Sequence, residues 1–223
     1  MELDKLIIIA QIVLLIGTLS AFIIGVAKYF KKRKPLFLQI ITSALGCAAL
    51  GQISFLIKQL IGQENGSGFQ VSVLGLVGCY FFFFSASFGQ IDGLGDSKDK
   101  ELRKYRLISL SAPLAIAASY YFVVVGNFEI TETVINGILF ALLAVTSYFN
   151  LKHLILPDVD GGILKSIRSY NLVVLMLSAV TILRQISELY GIEFLTFATM
   201  LCSAVLFFSV IIIAGRGVKK WFL

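Results

Sequence analysis

Apolar residues run in long unbroken blocks along this chain, and polar residues gather between the blocks. Seven blocks stand out, at roughly 6–30, 36–61, 69–91, 107–126, 134–156, 170–190 and 194–215. A helix needs about 20 mostly apolar residues to cross a bilayer. Each block therefore predicts one membrane-spanning helix. Transmembrane barrel strands would instead show alternation over ~10 residues, which is absent. The first block has no small-residue cleavage site before its basic flank and reads as a retained helix rather than a signal peptide. The pattern predicts an all-α polytopic membrane protein, a single bundle over 1–223 with seven transmembrane helices.

Composition agrees. Of the 223 residues, 58% are hydrophobic and only 14% are charged, against about 25% charged in a soluble domain. Mean hydropathy is +0.91. These values exclude a water-soluble enzyme. They also exclude a nucleic-acid-binding domain, despite a pI of 9.2. The 19 basic residues are clustered: 16 fall near Lys28–Lys34, Lys98–Arg106, Lys152–Arg168 and Arg216–Lys220. Lys5, Lys58 and Arg184 remain for the other side. Cytoplasmic loops collect Lys and Arg, so the amino terminus is expected outside and the carboxyl terminus in the cytoplasm, in a bacterial inner membrane.

Three ordered anchors suggest an internal repeat. Tyr29-Phe30 matches Tyr148-Phe149, Leu56–Leu60 matches Ile182–Ile186, and Phe83–Ser85 matches Phe207–Ser209. They point to a 3+1+3 plan with halves 6–91 and 134–215 and a linker helix at 107–126. Composition alone also makes apolar helices match. That plan resembles the sugar facilitators of the SWEET and PQ-loop type and, in outline, the microbial rhodopsins. The facilitator likeness implies hinge prolines, yet Pro35, Pro113 and Pro157 all lie outside the six repeated helices. The rhodopsin likeness implies a Lys within the seventh helix, and 194–215 holds none.

Chemistry is sparse. His153 is the only histidine, so paired-histidine haem and multi-histidine metal sites are excluded. Beside Lys152 it reads as an interfacial residue. Nucleophilic triads lack a base. No cofactor and no enzymatic activity are expected. Cys47, Cys79 and Cys202 fall inside spans and form no framework. Asn65-Gly-Ser67 reads as a turn, and Asp92–Asp96 as a flexible helix exit. The mixed-charge segment Ser97–Arg106 reads as a solvated loop.

Polar residues inside spans are costly and carry the most information. Arg184 lies about six residues, or ~9 Å, inside the outer boundary of the sixth span. Glu188 is one turn on and shares its face. Lys58, Gln59 and Gln52 occupy the second span, and Gln185 adjoins Arg184. These six are the candidate ligand-binding residues, expected to line an outward-facing vestibule of positive character. The expected partners are the lipid bilayer, a small polar or anionic ligand, and a cytoplasmic or membrane protein. Receptor or sensor is the leading reading. A SWEET-like facilitative transporter and an accessory subunit of a larger membrane complex are the alternatives.

Overall fold

The computed structural model describes residues 2–31, 34–61, 71–89, 102–125, 127–128, 130–157 and 163–219. Asn65-Gly-Ser67, Asp92–Asp96 and the start of the Ser97–Arg106 loop lie outside them. Regular structure among the described residues is helical throughout. The helices are α1 (Glu2–Tyr29), α2 (Leu36–Ile61), α3 (Val71–Ser87), α4 (Arg103–Ser109), α5 (Ser111–Val123), α6 (Ile130–Ile155), α7 (Ile163–Leu189) and α8 (Glu193–Lys219).

Six stretches are long and apolar enough to cross a membrane: 6–29, 36–59, 103–123, 130–155, 164–189 and 193–219. The expected seventh is shorter. α3 has 17 residues, or about 25 Å at 1.5 Å per residue, against a hydrocarbon core of about 30 Å. The described helices thus form an apolar bundle of a membrane protein, with six full spans and one short apolar helix.

Burial is inverted relative to a soluble bundle. On α1, Ile9, Ile16 and Ile23 recur every seven residues and are 53%, 59% and 57% exposed. Gln11 and Thr18 on the opposite stripe are fully buried. Lipid accepts the isoleucines, whereas an unpaired amide in hydrocarbon costs several kcal/mol. Apolar side chains therefore face out and polar ones face in.

The packing order follows the chain with one omission. α1 packs on α2, α2 on α3, α3 on α6, α6 on α7, α7 on α8, and α8 returns to α1. Six helices close a ring. α4 and α5 lie outside it, mainly against α6. They form one broken span rather than the single helix expected at 107–126. Pro113 lacks an N–H, so the turn before it is freed from regular helix bonding. There Leu110 N donates to Leu107 O at 3.1 Å, a tighter turn.

Two sequence expectations change at the end of the ring that holds Tyr29 and Leu36. α7 begins at Ile163, not near 170, so Lys165 and Arg168 are helical rather than in a loop. The Arg168 guanidinium donates to Leu156 O at 3.0 Å, just beyond the end of α6. A cation there also favours the negative end of the helix dipole. His153 and Lys152 were expected at the interface, yet they are 0% and 2% exposed. The Lys152 ammonium sits 5.0 Å from the Phe149 ring, a cation–π contact. The prolonged α7 and the adjacent α4 cover positions that a shorter bundle would leave open.

Candidate functional site

The other end of the ring, where α7 turns into α8, is built by a left-handed glycine. Gly191 has φ +62°. Ile192 N donates to Ser187 O at 2.8 Å, and Gly191 N reaches Glu188 O at 3.4 Å. This is the Schellman termination, which needs a residue without a Cβ penalty at that position. The tight turn sets Glu188 and Glu193 on a common rim. A hydrogen bond of 2.9 Å between the Thr196 and Ser187 hydroxyls clamps the two helices just inside.

Beneath that rim is a cavity of about 500 Å³. α6 contributes Glu132, Ile135 and Asn136, where Glu132 and Asn136 share a face at i,i+4 spacing. α7 contributes Gln185, Glu188 and Leu189, and α8 contributes Glu193, Thr196 and Met200. Ile7, Phe55 and Val73 close the wall from α1, α2 and α3, with Phe128 above α6. A cavity of this size, mostly apolar with a few convergent polar groups, has the make-up of a small-molecule site.

Deeper in the bundle, interhelical hydrogen bonds lie about one turn below the lining on α1, α2 and α7, two turns below it on α3 and nearly three on α6. The Gln11 amide donates to Gln52 Oε1, joining α1 to α2. The Tyr80 and Thr181 hydroxyls stand 2.8 Å apart, joining α3 to α7. Thr146 Oγ1 donates to Tyr80 O at 3.2 Å, joining α6 to α3.

Several buried polar atoms have no hydrogen-bond partner. Asn136 Oδ1 is one, in the cavity wall. Ser147 Oγ, Asn150 Oδ1 and both amide atoms of Asn171 lie further along α6 and α7. Buried polar groups are nearly always satisfied by protein, water or ligand.

The six candidate residues separate into four groups. Gln185 and Glu188 line the cavity. Arg184 stands behind it: its Nε meets Glu188 Oε1 at 2.7 Å, with side-chain exposures of 12% and 36%. Its guanidinium carbon also lies 6.0 Å from the Phe55 ring, so Phe55 supplies the α2 contact. Gln52 is buried about one turn below the lining and accepts from Gln11. Lys58 is half-buried and Gln59 exposed, and neither belongs to the lining. Among the described residues the lining carries three carboxylates and no Lys or Arg, the reverse of the positive vestibule expected from Lys58 and Arg184.

Sequence reasoning missed Glu132 and Glu193. Their blocks were bounded at 134 and 194, which placed both just outside the apolar runs. Acidic residues in a first helical turn are favoured by the helix dipole, so the helices extend to include them. Asn136 was visible as one of the few amides within a span.

Among the described residues no group of three His, Cys, Asp or Glu is placed to hold a metal ion. Comparisons with protein-family models, curated proteins and solved structures find no match to this chain.

Proposed function

We propose that this protein is a non-enzymatic receptor or sensor-type membrane module, seven helices deep, that takes a small ligand into the Glu132–Glu188–Glu193 cavity from the outer side. The observation that carries this reading is the cavity of about 500 Å³ itself, open at one end of the ring, with interhelical hydrogen bonds tying the helices together deeper in the bundle. The orientation rests on charge: 16 of the 19 basic residues belong to segments at the opposite end, the cytoplasmic end by the positive-inside rule. α6, α7 and α8 all line the cavity and run to the cytoplasmic end, so a ligand that draws them together would alter the surface offered to a partner there.

Facilitated transport is the second reading. Ser147 Oγ, Asn150 Oδ1 and the Asn171 amide are buried polar atoms without a hydrogen-bond partner further along α6 and α7, and a solute path between those helices would use them. The repeat expected from the sequence would add to this reading, as parallel repeats about an axis along the membrane normal are one plan of such transporters.

Thiol labelling in spheroplasts tests the cavity and its orientation. With the native cysteines replaced by Ala, Asn136→Cys should react with a membrane-impermeant reagent added outside. Lys165→Cys should react only from the cytoplasmic side. The opposite pattern overturns the orientation, and an Asn136→Cys inert from both sides overturns the open cavity. Proteoliposomes loaded with small solutes then separate the two readings, since a receptor module should release none of them.

A further inference from the structure

The acidic lining gives the ligand a charge. We propose that the cavity takes a small organic ammonium ion, its charged end among Glu132, Glu188 and Glu193 and its apolar body against Phe55, Phe128 and Met200. This inference rests on the reading of the cavity as a ligand site and names the class of ligand.

Three observations lead to it. Arg184 is bound to Glu188 at 2.7 Å, so only one of the three carboxylates has a cation. Among the described residues no salt bridge is formed by Glu132 or Glu193. Carboxylates drawn together with incomplete compensation attract a cation, the more so where walls of low dielectric focus the field.

The second observation is independent of charge. Asn136 lines the cavity, is only 6% exposed, and its Oδ1 has no hydrogen-bond partner. A buried acceptor of this kind needs a donor from whatever fills the space. An ammonium N–H supplies one, and a carboxylate or phosphate ligand supplies none.

The third is the remaining wall. Ile7, Phe55, Val73, Phe128, Ile135, Leu189 and Met200 make most of it apolar. A bare metal ion gains nothing from that surface, and divalent hard cations take six or more oxygen ligands. An ammonium carried on an apolar body uses both parts, with the Phe faces adding cation–π attraction. The sequence bears this out beyond the lining. The segments that end or join helices here, 1–6, 58–70, 126–133 and 184–194, hold seven carboxylates and three basic side chains. The opposite end is strongly basic.

The same ammonium chemistry occurs on free amines and on ethanolamine lipid headgroups, and the experiment distinguishes them. Purified protein in a nonionic detergent is titrated by thermal unfolding with 2-phenylethylammonium, its near-isostere 2-phenylethanol, the anion 3-phenylpropanoate, and short-chain phosphatidylethanolamine and phosphatidylglycerol. The ammonium probe should bind at least about tenfold more tightly than the alcohol, a difference of 1.4 kcal/mol. The carboxylate should not bind. Glu132→Gln and Glu193→Gln should each weaken the ammonium about tenfold while the ligand-free unfolding temperature changes little. Stabilisation by phosphatidylethanolamine but not phosphatidylglycerol, without an effect of the free amine, keeps the ammonium class and assigns it to lipid. Equal or tighter binding of the alcohol or the carboxylate overturns the cation and leaves the ligand cavity standing. Failure of every probe, charged and neutral, overturns both.

Discussion

The α2–α3 seam and the α6–α7–α8 side of the ring are built by opposite means. At the seam, Gly51 and Gly75 bring two backbones into contact. A Cβ on Gly75 would lie 2.5 Å from Gly51 Cα and 2.8 Å from Cys47 O. Small residues are the usual route to tight association in lipid, where no hydrophobic drive between helices operates. Across the ring, α6, α7 and α8 meet over Glu, Gln, Asn and Thr side chains around a cavity. One side is fixed by backbone contact with no room to adjust. The other opens around the cavity at one end and leaves polar groups unpaired. Elsewhere α7 and α8 close on each other, where a Cβ on Gly217 would lie 2.8 Å from Ser166 O. Elements that respond to ligands come from the less tightly packed parts of a fold, so under the proposed function the seam would be the frame and the α6–α8 side around the cavity the adaptable half.

The sharpest way to break this contrast is to give the seam a side chain. Gly75→Val should abolish recovery of folded protein in detergent, because the obstructing atoms are backbone and have nowhere to move. Gly89→Ala is the matched control, since a Cβ there meets nothing within 4 Å, and it should be near neutral. A stable, monodisperse Gly75→Val protein would show that the seam is not the rigid part.

Next in size is the ion pair behind the cavity. Glu188→Ala leaves the Arg184 guanidinium, whose side chain is only 12% exposed, without its carboxylate. Arg cannot discharge itself. Stranding one partner of a fully buried pair costs 3–5 kcal/mol. Glu188 is 36% exposed, so water offsets part of the loss and about 1–2 kcal/mol is expected here. Arg184→Leu should cost less, because Glu188 can turn to solvent and Leu still packs on Phe55. Chemical unfolding in mixed micelles should rank Glu188→Ala below Arg184→Leu. The reverse order would mean that the cavity side tolerates an orphaned charge, which a dry, tightly packed site would not.

Much of this architecture was legible in the sequence, and the parts that were not share a cause. Block length and composition exposed the spans because lipid imposes a simple length rule. The Arg184–Glu188 pair followed from i,i+4 geometry and from the cost of a deep guanidinium. The cavity itself was hidden, because it depends on which helices become neighbours. Nothing local in Glu132, Phe128 and Glu193 shows that they converge, as each is an ordinary residue at a helix end. Lys152 and His153 misled for a related reason: a basic pair near a span boundary is normally solvated, and only the unexpected length of α7 and the position of α4 bury it. The brevity of α3 escaped because an apolar run does not reveal where its helix begins.

Asn136 offers a prediction of the opposite sign. An acceptor buried without a partner costs roughly 1–3 kcal/mol. Replacing it with a residue of similar volume and no polar atoms removes that cost. Asn136→Leu should therefore raise the stability of the ligand-free protein by about 1 kcal/mol, while reducing stabilisation by any ligand that donates a hydrogen bond to it. A loss of stability would show that Oδ1 is already satisfied, and the comparison would lose one of its marks of an incomplete, adaptable half.

The remaining comparison concerns the strap that ties the frame to the adaptable side. The Tyr80 and Thr181 hydroxyls are 2.8 Å apart across the ring. Thr181 Oγ1 also donates to Leu177 O at 2.8 Å within α7. A hydroxyl has one proton, so Tyr80 is the donor and Thr181 the acceptor. Interhelical hydrogen bonds in membrane proteins average about 0.6 kcal/mol and reach about 1.7. The two truncations are then unequal. Tyr80→Phe removes the donor, and Thr181 Oγ1 keeps its bond to Leu177, so the loss should be near the average. Thr181→Val removes the acceptor and leaves a tyrosine hydroxyl buried at 0% exposure with a proton to place, which should cost closer to the upper value. A double-mutant cycle isolates the shared term. Equal losses would mean that Tyr80 finds another acceptor. A coupling energy of zero would mean that the frame and the ligand side are not joined at this point, so that ligand-driven movement of α7 would not be transmitted to α3 through this hydrogen bond.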